Sequence, residues 1–215
     1  RSQIQAEIRS VDGEWVMRTL GLPYTVASRV TGTVRAQMPG LEYQQAMGEA
    51  DATLTPTATP VARSTMPVGG RVTARGANGR IDAQLVRVSA AGAEASGRVA
   101  VSDDRQLNGQ ITARASDLNQ LTSSLEVFLG RPRGSILPTP IRGAVAVEAR
   151  LAGTVDTPSV TSKVNAPSLA VGEAKGVALS ADVVYTPAAV NVQRADVTWE
   201  EASLHVDGRV GLSAD

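Results

Sequence analysis

The chain has 215 residues, 42% of them hydrophobic, and 21 Lys and Arg balance 21 Asp and Glu for a formal net charge of zero. That balance argues against a nucleic-acid binder, which would carry a basic stripe, and against strong attraction to an anionic membrane surface. The absence of Cys excludes disulfide scaffolds, thiolate metal sites and Cys nucleophiles.

The hydrophobic residues are mostly Val, Ala and Leu, with one Phe, two Trp and three Tyr. Aromatic side chains usually dominate core energetics. An apolar face built from small aliphatics packs thinly and leaves a smooth surface. No stretch approaches the ~18 consecutive apolar residues of a membrane-spanning helix. The first residue is Arg and no signal peptide is visible, so the chain is expected to be a piece of something longer.

In chain order, 3–8 alternates weakly, with Ile4, Ala6 and Ile8 against Gln5 and Glu7. Val11, Trp15 and Leu20 then fall at helical spacing, and Gly21-Leu22-Pro23 stops the run. Residues 26–37 read as strand through Val30, Gly32, Val34 and Ala36. Pro39-Gly40 marks a turn, and 42–54 is ambiguous but favours strand. The proline-bearing stretch 56–67 reads as a linker or loosely held edge, because Pro cannot donate to a sheet ladder. Asn78-Gly79 is a hairpin signal between alternating runs. Residues 80–88, 95–101 and 107–115 follow as meander strands.

A second helix is predicted through Leu118, Leu121, Leu125 and Phe128 or Leu129, capped by Ser116 or Asp117 and ended by Gly130-Arg131-Pro132. Five or six more strands are expected after 141, broken at Thr157-Pro158, Ala166-Pro167, Gly172, Thr186-Pro187 and Glu200-Glu201. The two helix-turn-strand junctions repeat at an offset of about 110 residues, which suggests two copies of one unit. The expected organisation is a helix-plus-strand unit over 1–60, a β-meander ending in a helix over 61–140, and a C-terminal β-meander over 141–215, all in one elongated sheet.

Along nearly every predicted strand, each second residue is apolar or Gly. The predicted apolar face comprises Val72, Ala74, Ile81, Ala83, Leu85, Val99, Val101, Ile111, Ala113, Val145, Val147, Leu151, Val160, Val164, Val177, Leu179, Val183, Val190, Val192, Leu204, Val206, Val210 and Leu212. The commonest fate of such a face is the core of a β-sandwich. The scarcity of aromatics and the uniform texture of the strands favour an elongated, curled antiparallel sheet with an apolar concave face.

Little chemistry is legible. His205 is the only histidine and lies on the polar side of its strand, where a pairing with Asp207 would be solvated. Asp103-Asp104 and Glu200-Glu201 read as charged turns. No nucleophile elbow, phosphate loop or dinucleotide fingerprint occurs. Neither catalysis nor a cofactor or metal is expected, and the Arg-dominated polar side reads as a solvated mixed-charge face.

The run Leu107-Asn108-Gly109-Gln110-Ile111-Thr112-Ala113-Arg114-Ala115-Ser116-Asp117-Leu118-Asn119-Gln120-Leu121 resembles the strand and Ser-Asp-Leu-x-x-Leu helix start of TamB-like proteins of the AsmA superfamily. Leu151-Ala152-Gly153-Thr154-Val155-Asp156-Thr157-Pro158-Ser159-Val160 resembles their strand-turn-strand unit, and Leu204-His205-Val206-Asp207-Gly208-Arg209-Val210 their closing strand. The resemblance is best over 71–215. It implies an all-β taco-like sheet with two short helices, in which the residues above line a groove for phospholipid acyl chains. It further implies an internal segment of a periplasmic protein anchored in the bacterial inner membrane. The partners implied are the rest of its own chain and an outer-membrane barrel-assembly protein. Two alternatives stay open: a groove or edge that chaperones outer-membrane strands, and a structural β-solenoid of a surface protein.

Overall fold

The computed structural model describes residues 2–19, 24–38 and 47–212. The first third contains β1 (Ser2–Asp12), α1 (Gly13–Thr19), β2 (Thr25–Val26), β3 (Ser28–Met38), β4 (Met47–Pro56) and β5 (Thr65–Met66). Then come β6 (Val68–Ala77), β7 (Arg80–Ala90), β8 (Ala93–Val101), β9 (Leu107–Ala115) and α2 (Leu118–Leu129). The remainder is β10 (Ile141–Arg142), β11 (Val145–Gly153), β12 (Pro158–Val171), β13 (Ala174–Thr186), β14 (Ala189–Trp199) and β15 (Ala202–Gly211). The turn expected at Pro39-Gly40 and the helix stop at Gly21-Leu22-Pro23 lie outside the described residues.

Thirteen strands form one antiparallel sheet in the order β1-β3-β4-β6-β7-β8-β9-β11-β12-β13-β14-β15, with β10 added onto β12. The long strands follow chain order, so the sheet is a meander with β1 and β15 as open edges, and it does not close into a barrel. The β6–β7 hairpin turns at Asn78 and Gly79, both at positive φ (51° and 74°), as the tight primed turn requires. Register shifts interrupt several ladders, including those between Ile8 and Val11 of β1 and between Leu85 and Val88 of β7. Each such bulge raises local twist and bends the strand, which coils the sheet.

Three sequence expectations are corrected. Val11 belongs to β1, paired with Val30, so the first helix begins at Gly13 and is described over Gly13–Thr19, with Leu20 outside the described residues. Ala166-Pro167 does not end a strand: β12 runs through it, with a register shift between Ala166 and Leu169 where proline's missing donor is tolerated. The proline-bearing stretch is a linker between β4 and β6, but it is not a loosely held edge. β4 pairs directly with β6 across it, β5 pairs in parallel with β2, and Ser64 N–H donates to Phe128 O at 2.7 Å.

The helix ends follow their local chemistry. Asp117 is extended and its side chain accepts from Asn119 N–H at 2.9 Å, so it is the N-cap. Gly130 takes the left-handed conformation (φ 65°) at the other end, where its N–H bonds back to the last turn. Leu118 and Leu121 pack against a buried cluster of Ala115, Val145, Ala166, Leu169 and Val177. α2 therefore lies on the apolar face and covers one end of β9, β11, β12 and β13. The order strand, helix, two-residue strand, long strand occurs twice, as β1-α1-β2-β3 and as β9-α2-β10-β11, and in both the outer strands pair. The copies diverge at the two-residue strand: β2 pairs β5 in parallel, whereas β10 pairs β12 antiparallel.

Candidate functional site

The register converts alternation within strands into rows across the sheet. One row runs Ala6, Val34, Ala50, Ala74, Ala83, Val99, Gly109, Leu151, Val160, Tyr185, Val190, Val210, directly paired from edge to edge. It contains no charged residue. Twelve strands at ~4.8 Å spacing give this row a length of roughly 53 Å. A parallel row holds Val72, Leu85, Gly97, Ile111, Ala149, Ser162, Val183, Val192 and Gly208. Ala113, Val147, Val164, Ala181, Ala195 and Val206 continue the pattern toward α2.

The sequence-predicted face is thus brought together on one side of the sheet, and its members differ in environment. Val145 and Val177 are buried beneath α2. Val72, Ala74, Ala83, Leu85, Val99, Val101, Ile111, Ala113, Val147, Leu151, Val160, Val164, Leu179, Val183, Val190 and Val192 are half-buried. Ile81, Leu204, Val206, Val210 and Leu212 are exposed, Leu204 at 60% and Val210 at 64%. Three row members from the N-terminal strands (Ala6, Val34 and Ala50) extend the predicted set. Ala6 and Val34 were legible in the alternations of 3–8 and 26–37, whereas their joining to the same row depends on long-range pairing.

The opposite face carries the register Glu7, Thr33, Asp51, Thr73, Gln84, Arg98, Gln110, Arg150, Thr161, Val184, Asn191, Arg209. Polar residues occupy every place except Val184. Ion pairs decorate this face: Arg71 with Asp51, Arg75 with Glu49 at 3.3 Å, and Arg80 with Asp82 at 2.9 Å. The hydrogen bond from Arg71 holds the Asp51 carboxyl below its ordinary range, and that from Arg80 does the same for Asp82. Here the scattered mixed-charge reading is refined: the rows border a trough of about 1390 Å³ that crosses β3 to β11. A second concavity of about 890 Å³, among Gly69, Ser89, Glu94, Arg114, Asn165 and Pro167, lies at the strand ends on the same face.

His205 Nδ1 lies 2.9 Å from Asp196 Oδ1, and Arg194 Nε lies 2.6 Å from Asp196 Oδ2. The partner of His205 is therefore across the ladder, in β14, and not Asp207 along its own strand. Those bonds, from His205 first and Arg194 second, lower the Asp196 pKa. Among the described residues no cluster of His, Asp and Glu has the form of a metal site. Asp103-Asp104 and Glu200-Glu201 both sit in turns. Ser102 Oγ donates to Asp104, and Asp103 accepts the Asp104 N–H at 2.9 Å.

Comparison with family models, with curated proteins and with solved structures finds no match.

Proposed function

We propose that this chain is a segment of a TamB/AsmA-like periplasmic protein whose apolar sheet face shields lipid acyl chains during phospholipid transfer between membranes. The observation that carries this reading is the uncharged row from Ala6 to Val210, unbroken across twelve paired strands. Acyl chains need no directional partner, and each methylene removed from water contributes ~0.8 kcal/mol. The row spans roughly 53 Å, against the ~15 Å depth of one bilayer leaflet. It is long enough for lipids to pass along it end to end. The small side chains of the row leave few fixed pockets that would arrest a chain at one position.

The test is lipid extraction and mass spectrometry on protein purified from bacteria without detergent, beside a heat-unfolded control. Near-stoichiometric phospholipid is the expected result. Val147 and Leu179 pack against the buried cluster beneath α2, so Asp there also perturbs folding. Val99→Asp and Val190→Asp, in the open row, and Val206→Asp, near the β15 edge, should expel lipid while keeping the sheet. Bound lipid unaffected by these changes would refute the assigned face, and no lipid at all would reduce the chain to a structural β-module.

A second reading is favoured by β15. Every residue of this edge strand is exposed, and Leu204, Val206 and Val210 alternate with His205, Asp207 and Arg209. An unpaired ladder with a one-sided apolar pattern suits addition of an outer-membrane strand by β-augmentation. Competition between such a peptide and lipid separates the two readings.

A further inference from the structure

We propose that the polar face of the sheet binds an extended, phosphate-bearing polyanion in the trough that crosses β3 to β11, with Arg98, Gln110 and Arg150 as its centre. This site lies on the opposite face from the acyl-chain row and does not rest on the lipid reading.

Among the described residues the trough is bordered by six arginines and three carboxylates. Three of the arginines are neutralised, Arg71 by Asp51, Arg75 by Glu49 and Arg80 by Asp82. Arg35, Arg98 and Arg150 make no ion pair among the described residues. An excess of three positive charges therefore gathers in one concavity of a chain whose net charge is zero.

Arg98 is paired with Gln110, and Gln110 with Arg150, on three successive strands of the sheet. All three point to one side, because each occupies the same row. The two guanidinium groups therefore rise from positions two strand spacings apart, roughly 10 Å, with an amide between them. The trough has about 1390 Å³ and crosses seven strands, roughly 29 Å at ~4.8 Å per spacing. Its floor is the backbone of residues whose side chains point to the other face, such as Ala83 and Val99. A shallow channel of that length fits a linear ligand better than a compact one.

Chemistry selects the ligand class. The planar fork of Arg matches phosphate oxygens in a bidentate manner, and an amide such as Gln110 supplies a further donor. Among the described residues no aromatic borders the trough, so they offer no platform for stacking a base or a sugar ring. No His borders it either, which leaves charge and hydrogen bonding as the means of recognition.

The test is fluorescence anisotropy of the whole chain with end-labelled linear inorganic polyphosphate, competed by orthophosphate. The expected result is saturable binding that orthophosphate displaces only at much higher concentration. Arg98→Gln with Arg150→Gln should weaken it at least about tenfold and lower the log–log salt slope by about 1.4, two lost contacts at ~0.7 each. Arg18→Gln with Arg142→Gln removes the same charge away from the trough and should leave affinity unchanged. Both variant pairs alter exposed side chains, so unchanged circular dichroism and melting temperature separate lost binding from lost fold. No binding by the unmodified chain, equal weakening by the two pairs, or unchanged binding by the Arg98/Arg150 variant would each overturn the proposal.

Discussion

The rings of Tyr24 and Phe128 meet with centroids 5.5 Å apart and planes inclined at 33°. Tyr24 precedes β2 and Phe128 lies in the last turn of α2, so this contact joins the two helix-bearing units of the chain. Ser64 N–H on Phe128 O ties the proline-bearing stretch to the same point. Aromatic pairs in such tilted geometry contribute ~0.5–1.5 kcal/mol beyond their buried area. A double-mutant cycle of Tyr24→Ala and Phe128→Ala, read by chemical denaturation, should return a coupling of about 1 kcal/mol. A coupling near zero would mean that the two units are held together by the sheet and the Ser64–Phe128 backbone bond, without a contribution from the rings.

Glu126 is only 3% exposed, yet it is a carboxylate. It accepts the N–H of Ile136 at 2.9 Å and of Gly134 at 3.0 Å, which fastens the connector after α2 to the helix. The Ile136 N–H is the main cause of its lowered pKa, helped by Gly134, Ser135 and the nearby Arg133 and opposed by burial. A lowered folded-state value means that the clamp is fully present above the ordinary carboxylate range. It is lost as pH falls through the folded value. Glu126→Ala should free the connector, and trypsin cleavage after Arg133 should quicken several-fold at neutral pH. Unchanged cleavage would show that the connector is held by other contacts.

Asp196 offers a second pH-dependent contact, at the sheet edge. His205 contributes most to lowering its pKa and Arg194 contributes next. Its contribution to pairing of β14 with β15 is therefore present above the unfolded Asp value of ~3.9 and lost as pH falls through the lower, folded value. In an NMR titration, the Asp196 carboxyl should titrate below ordinary Asp, and His205→Ala should move it upward while Arg194 keeps it partly depressed. An unmoved midpoint in His205→Ala would leave Arg194 as the sole partner that matters.

These contacts mark the boundary of what one strand's pattern can reveal. Alternation along Leu204 to Leu212 and along Leu107 to Ala115 was legible because side chains on a strand follow a period of two. The faces of β11, β12 and β13 were legible for the same reason. The Asp117 cap and the Gly130 stop were legible from local chemistry. The partner of His205 was not, because Asp196 is reached across a ladder whose register shifts between Val192 and Ala195. The trough was hidden in the same way: Arg98 meets Gln110 through the adjoining β8–β9 pair, but Arg150 joins them only after β11 pairs with β9 across the whole of α2. Pro167 was misread because a proline at a bulge looks, in sequence, like a proline at a strand end.

The apolar face divides into a packed part and an open part, and stability should follow that division. Leu169 is 4% exposed within the cluster beneath α2. Val210 is 64% exposed on β15. Leu169→Ala removes buried methyl groups and leaves a cavity, which costs about 2–5 kcal/mol. For a chain of this size that is a fall in melting temperature of roughly 5–15 °C. Val210→Ala should stay within ~0.5 kcal/mol, because an exposed side chain has little burial to lose. Val99→Ala, in the half-buried row, should fall between them and close to Val210. That ordering would mean that most of the uncharged row is maintained for something other than folding, as an acyl-chain surface requires. If Val99→Ala cost as much as Leu169→Ala, the open row would be packed as a core is, and the groove reading would fall with it.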